Sequence, residues 1–163
     1  QDTVIQLAGT TIGPSTFTII AGPCSVENET MTFRIAETGG RLDIGQLPAV
    51  HADRSQLRQL FQNLIANALK FHRPDEKPVV RIEGEVEEGM AVIRVQDNGI
   101  GFDEKYLDRI FLPFQRLHSR DQYEGTGIGL AICKKITDRH GGTISARSAP
   151  GRGTTFILRL PGV

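Results

Sequence analysis

Tryptophan is absent from this chain of 163 residues, and cysteine, methionine and tyrosine occur only twice each. Cys24 and Cys133 lie far apart with no metal-ligand spacing. Neither a disulfide framework nor a thiolate cluster is expected, and the pattern fits a reducing, cytoplasmic setting. A charge excess is missing too: Lys plus Arg and Asp plus Glu number 19 each. No net field recruits nucleic acid or an anionic membrane surface. No apolar run approaches the roughly 20 residues of a membrane span, and no signal peptide is expected at the start. Internal repeats and low-complexity tracts are lacking as well. What remains is an ordinary globular composition, 39% hydrophobic and 23% charged. The length suits one domain with a respectable core, or one domain plus an appendage. Glycine is the exception, with 18 residues, many of them between 99 and 153. Clustered glycine suggests backbone approaching a ligand, although surface turns use it too.

Hydrophobic periodicity gives the layout. "TVIQL" and "FTIIA" read as short strands around a turn at "AGTTIGPS", and "GPCSVENET" breaks the pattern. "RLDI" and "AVHA" could be short strands. Asp53 is a good N-cap for a long helix over about 55–72, ended by "HRPDEKP". "VVRIEGEVE" and "MAVIRVQD" alternate as a hairpin with "EEG" at its tip. "EKYLDRIF" is a short helix, followed by a polar stretch, "QRLHSRDQYEG", long enough for a mobile loop. "GIGLAICKKITDRH" is a second amphipathic helix, stopped by Gly141 and Gly142, and "TISARS" and "TTFILRL" close the chain as a hairpin around "APGRG". From residue 41 on, the expected class is α+β, a mixed or antiparallel sheet with helices on one face.

Three segments carry chemistry. In "FQNLIANALKF" (residues 61–71), Leu64, Ile65, Ala68 and Leu69 form an apolar stripe, while Asn63, Asn67 and Lys70 share a face beside it. An amide oxygen is a hard neutral ligand for Mg²⁺, and a lysine one turn on supplies a point charge for phosphate. A solvated helix face is the plain alternative. "DNGIGF" ends a strand with Asp97, an acceptor suited to an exocyclic amine, and Gly99 and Gly101 allow backbone close to a flat ring. An Asn-Gly turn alone would look similar. "GTGIGLAICKK" opens a helix with Gly125, Gly127 and Gly129 alternating and Thr126 as a candidate cap, an arrangement that suits an anion. It lacks the Lys-Ser/Thr of a P-loop and the context of a dinucleotide fold.

Together and in this order, "NLIANALKF", "DNGIGF", "IFLPFQR" and "GTGIGLAICKKI" resemble the N, G1, F and G2 boxes of the ATP-binding catalytic domain of sensor histidine kinases. "HGGTISARSAPGRGTTFILRLP" resembles that domain's closing hairpin. The resemblance runs over about residues 34–163 and implies the two-layer α/β sandwich shared with gyrase B, mismatch-repair ATPases and the Hsp chaperone ATPase. By that resemblance ATP and Mg²⁺ are the expected ligands. Asn67 would hold the metal with Asn63 beside it, Lys70 and Arg116 would contact phosphate, and Phe71 would lie near the adenine. Asp97 would accept from adenine N6, supported by Gly99 and Gly101. Gly125, Gly127 and Gly129 would form the hinge of an ATP lid over about Pro113 to Glu124, with Arg120 a lesser phosphate contact and Thr126 and Thr155 among the nucleotide-binding residues. Asn63 stands where the related ATPases resemble one another in a glutamate base, so hydrolysis is expected to be slow and the phosphoryl group kept for a protein acceptor. None of His51, His72, His118 and His140 has a following acid in a helical context. The expected acceptor is therefore a dimerisation domain acting in trans, with a response regulator beyond it. A related ATPase or serine-kinase domain, or a non-catalytic scaffold, are the rival readings.

The opening residues do not resemble a histidine kinase. "DTVIQLAGTTIGPSTFTIIAGPCSVE" resembles the start of DAHP synthase, where a small hairpin precedes a first barrel strand and the cysteine is a metal ligand. A (β/α)₈ barrel needs about 200 residues or more, so Cys24 is not expected to bind metal here. The chain thus divides into a strand segment, 1–33, and a catalytic domain, 34–163. The exposed hairpin of the first offers a route to a homodimer.

Overall fold

The computed structural model describes residues 38–118 and 122–163, together with the backbone of 5–7 and 10–12. Two short antiparallel strands, β1 (Ile5–Leu7) and β2 (Thr10–Ile12), pair by themselves, with Ile5 opposite Ile12. The second of them falls in the stretch expected to be a turn. Thr10, Thr11 and Ile12 are β-branched and suit a pleated strand better than a turn. "FTIIA" and Cys24 lie outside the described residues.

The main sheet has five strands: β3 (Arg41–Ile44), β4 (Val79–Glu87), β5 (Met90–Asp97), β6 (Thr143–Ser148) and β7 (Thr154–Pro161). Their order is β3-β4-β5-β7-β6. The β3–β4 pair is parallel and the others are antiparallel, so the sheet is mixed. Parallel neighbours need a crossover; here it is α1 (Arg54–Lys70). The β4–β5 turn places Glu88 and Gly89 at φ 50° and 77°, the two positive values of a tight hairpin turn that keeps the native twist.

Asp53 caps α1 as expected, its carboxylate accepting from the Gln56 amide at 2.9 Å. Leu57, Leu60, Leu64, Ile65 and Leu69 form the buried stripe of this helix. They pack with Ile82, Ile93, Leu158 and Leu160 of the sheet. Burying one leucine contributes about 1.5–3 kcal/mol. That stripe, more than intrinsic propensity, holds the helix against the sheet. A 3₁₀ turn (Glu104–Tyr106) runs into the short α2 (Leu107–Ile110), and α3 (Gly129–Arg139) lies beside α1 on the same face. The outer face of the sheet is polar: Arg94 pairs with Glu85 at 2.7 Å and with Glu87 at 3.1 Å.

Two expectations need correction. "AVHA" is not a strand; only Val50 makes a bridge, to Gly162. Pro48 packs against Gly84, where an added Cβ would stand 2.8 Å from its Cδ, and Val50 turns into the core instead of extending a ladder. Thr126 does not cap α3. The helix begins at Gly129 with Ile128 as its cap residue, which makes no side-chain cap bond, and Thr126 is left outside it.

Candidate functional site

A cavity of about 730 Å³ opens between α1, the end of β5, the start of α3 and the segment 115–127. That is room for a nucleotide-sized ligand. Helical periodicity decides what α1 shows to it. Asn67 and Lys70 line the cavity. Asn63, one turn earlier, does not: the start of α3 covers it, and its amide donates to the Gly129 carbonyl at 3.3 Å. The Asn67 side chain has no hydrogen-bond partner among the described residues and faces the opening.

The Lys70 ammonium sits 4.8 Å from the centre of the Phe71 ring. It makes no ion pair among the described residues. Partial burial, then the nearby Arg116 guanidinium, hold its pKa below the usual lysine value, with Glu124 opposing. A Cβ on Gly125 would stand 2.5 Å from the Lys70 Nζ, so only glycine lets the segment pass over this ammonium. Arg116 also lines the cavity, but its guanidinium is engaged: it donates to the carbonyls of Gly125 and Tyr123. Two cations therefore line the cavity, and among the described residues no carboxylate forms an ion pair with either.

Asp97 ends β5 and lines the same cavity. Its Oδ1 accepts from the Gly99 amide at 2.8 Å and the Thr154 amide at 3.2 Å. Burial pushes the carboxyl above the usual aspartate range, and those two amides pull it back only in part. Its Oδ2 has no described partner and is left for a ligand donor. Gly101, at φ 62°, lines the cavity; a Cβ there would stand 2.0 Å from the Ala149 carbonyl oxygen. Gly99 is off the wall. A Cβ on it would stand 2.5 Å from the Phe71 carbonyl, so its smallness lets the strand end cross the end of α1.

Gly125, Thr126, Gly127 and Gly129 all line the cavity, as does Phe71. Thr155 does not. Side chains alternate along β7, and Thr154 and Phe156 face the cavity while Thr155 pairs with Gln96 and Arg147 on the outer side. Arg120 lies outside the described residues. Sequence reasoning missed Thr154, whose strand phase was the available signal. It also missed His118 and Tyr123, whose rings lie 5.7 and 4.9 Å from that of Phe71. Two aromatic residues flanking a polar loop were the only hint of them.

A mixed five-stranded sheet backed by helices, with an unpaired amide and a lysine on one helix edge and a buried carboxylate lining the same cavity, is an architecture of ATP-binding domains. Residues 52–163 match the family of histidine kinase-, DNA gyrase B- and HSP90-like ATPases, and the chain belongs to that family. Within it, the domain is homologous to the ATP-binding domains of sensor histidine kinases. It is 53% identical over 128 residues to phytochrome-like protein Cph1 of Synechocystis sp., covering 78% of this chain and 17% of that protein. It is 37% identical over 133 residues to the circadian input-output histidine kinase CikA of Synechococcus elongatus, covering 78% of this chain and 17% of the relative. Among solved structures, full-length ShkA in complex with AMPPNP superposes with a TM-score of 0.70 at 29% identity, over 83% of this chain and 28% of that one. The catalytic domain of histidine kinase ThkA superposes at 0.67 with 28% identity, over 82% of this chain and 86% of that one. The chain spans only part of the length of the curated relatives it matches, from 17% of phytochrome-like protein Cph1 to 27% of a sensor protein kinase WalK of Staphylococcus aureus.

Proposed function

We propose that the domain binds Mg-ATP in this cavity and is the phosphoryl-donor half of a two-component sensor histidine kinase, whose acceptor histidine sits on a separate dimerisation domain. The observation that carries the reading is that one cavity brings together two kinds of group. A carboxylate oxygen of Asp97 with no described partner suits an amine donor. Lys70, Arg116 and Asn67 suit a polyphosphate and its metal. The donor set fits Mg²⁺, which takes few protein oxygens beside water and phosphate; Asn67 would hold it, and the ion would neutralise phosphate charge. The base Asp97 selects is adenine, because its exocyclic amine donates where guanine presents a carbonyl.

Donation to protein is favoured over hydrolysis by what stands beside Asn67. A carboxylate there could act as a base on water, whereas an amide cannot, and the Asn63 amide is already turned to Gly129. Two of the domain's own histidines are poor acceptors. Both ring nitrogens of His140 are engaged, with the Ile136 carbonyl at 2.7 Å and the Asp53 amide at 2.9 Å, and His72 holds the Leu69 carbonyl at 2.6 Å. At the cavity's edge Leu112 and Phe114 are 50% and 75% exposed, an apolar contact for the acceptor domain. A response regulator would then receive the phosphoryl group from that domain.

Calorimetric titration with ATP, with and without Mg²⁺, tests the reading. Binding strengthened by the ion, and Asn67→Ala losing most of that dependence, are the expected results. No binding, or a wild-type metal response in the variant, would contradict it.

A further inference from the structure

Tyr123 does two things at once in this structure. Its ring lies against Phe71, centroids 4.9 Å apart and planes tilted by 55°. Its backbone carbonyl accepts a hydrogen bond from the Arg116 guanidinium. His118 closes the cluster from the other side, 5.3 Å from Tyr123 and 5.7 Å from Phe71. All four side chains line the same cavity. At that separation no flat base fits between the Tyr123 and Phe71 rings. While the Arg116 guanidinium is held by carbonyls, it is not offered to phosphate.

We infer that Tyr123 is a specificity-determining residue that stands in for the nucleotide in the empty site, its ring on the face of Phe71 and its carbonyl on the phosphate-binding arginine. The inference rests on the proposed nucleotide reading and deepens it. Its consequence is selectivity for a ligand carrying both a base and a polyphosphate. Adenosine must displace the ring without help from a phosphate that draws Arg116 away. Tripolyphosphate must draw Arg116 away without help from a base that takes the ring's place. ATP does both in one event, since ring and carbonyl belong to one residue, so each displacement assists the other.

Two measurements test this on the full chain, after wild-type binding of Mg-ATP has been established. The first compares adenosine affinity in the wild type, Tyr123→Ala and Tyr123→Phe. Removing a competing ring contact should tighten adenosine binding by roughly threefold to tenfold, the value of one aromatic pair. Tyr123→Phe, which keeps the ring, should match the wild type. Unchanged or weaker adenosine binding in Tyr123→Ala would overturn the inference; weaker binding would make the ring a wall of the occupied site. The second uses the absence of tryptophan and the presence of only two tyrosines. In a Tyr106→Phe variant, Tyr123 is the sole emitter. Tripolyphosphate, which has no base, should raise the quenching of that emission by acrylamide, because drawing Arg116 away frees Tyr123 from the cluster. Quenching unaltered by both tripolyphosphate and ATP would overturn the link between carbonyl and ring. A chain that binds no Mg-ATP fails the nucleotide reading itself, whereas ATP binding with either negative result fails this inference alone.

Discussion

Asp97 is costly to the fold, and in the proposed site it is the acceptor that the ligand needs. Burial raises its pKa above the ordinary 3.8, so the folded state holds the proton more tightly than the unfolded chain does. The sign follows: this group adds stability as pH falls through the raised value toward 3.8, and subtracts it above. Nucleotide binding has the opposite sign, because only the carboxylate accepts from an amine at full strength. ATP affinity should therefore fall with acidification earlier than an ordinary aspartate would allow, and a binding titration against pH reads this. Asp97→Asn separates the two effects. The amide oxygen keeps the bonds from Gly99 and Thr154, so the melting temperature should hold or rise. ATP affinity should drop by about 1.5–3 kcal/mol, the worth of a hydrogen bond to a charged group. A lower melting temperature with unchanged affinity would reverse the assignment. Cys133 gives a second residue-scale test. Burial pushes its thiol up to about 12, so in a Cys24→Ser variant it should resist alkylation at pH 8 until denaturant is added. Rapid native labelling would show the site open.

At the scale of elements, the turn after β5 and the hairpin tip after β4 predict unequal costs for the same substitution. Gly89 sits at φ 77° with nothing within 4 Å of an added Cβ. Gly89→Ala should cost about 1 kcal/mol, the left-handed penalty alone. A Cβ added to Gly101, at φ 62°, would stand 2.0 Å from the Ala149 carbonyl oxygen, so backbone must move. Gly101→Ala should cost about 3 kcal/mol or more in urea titration and carry ATP binding down with it. Equal costs would mean the turn yields easily. The same elements show what a sequence discloses. The capped helix over 55–72 and both long hairpins were legible because strong periodicity and turn glycines agree there. "AVHA" was not, since Val50 is buried by a proline-steered loop and looks like a strand residue by composition. Among site residues, Asn67, Lys70 and Asp97 were legible from helical spacing and a strand end. That Asn63 is covered and Thr155 faces outward depends on how α3 and β6 pack, which no local pattern encodes. The ring cluster of Phe71, His118 and Tyr123 joins two distant segments and left no periodic trace.

At the scale of the whole molecule, the cavity is lined, among the described residues, by side chains between positions 66 and 156. Among the described residues no helix is long and apolar enough to cross a membrane, and no cluster of three metal-ligating side chains occurs. For the opening segment, described only in the backbone of β1 and β2, we propose no part in nucleotide binding. We propose that it adds strands, within the molecule or across a homodimer, because a lone two-stranded hairpin is marginal in water. Deleting residues 1–27 should change oligomeric state or stability, read by sedimentation and melting, and leave Mg-ATP affinity within a fewfold. A deletion that abolished nucleotide binding, or synthase activity in the full chain with added metal, would contradict this division. The central claim, that the domain donates phosphoryl groups to another domain and not to itself or to water, is tested most directly by radiolabelled ATP. The chain alone should remain unlabelled and release little free phosphate. With a histidine-bearing dimerisation domain of a sensor kinase added, acid-labile label should appear on that domain and vanish with Asp97→Asn. Label on His51, His72, His118 or His140 of the isolated chain, or brisk phosphate release without an acceptor, would contradict the account.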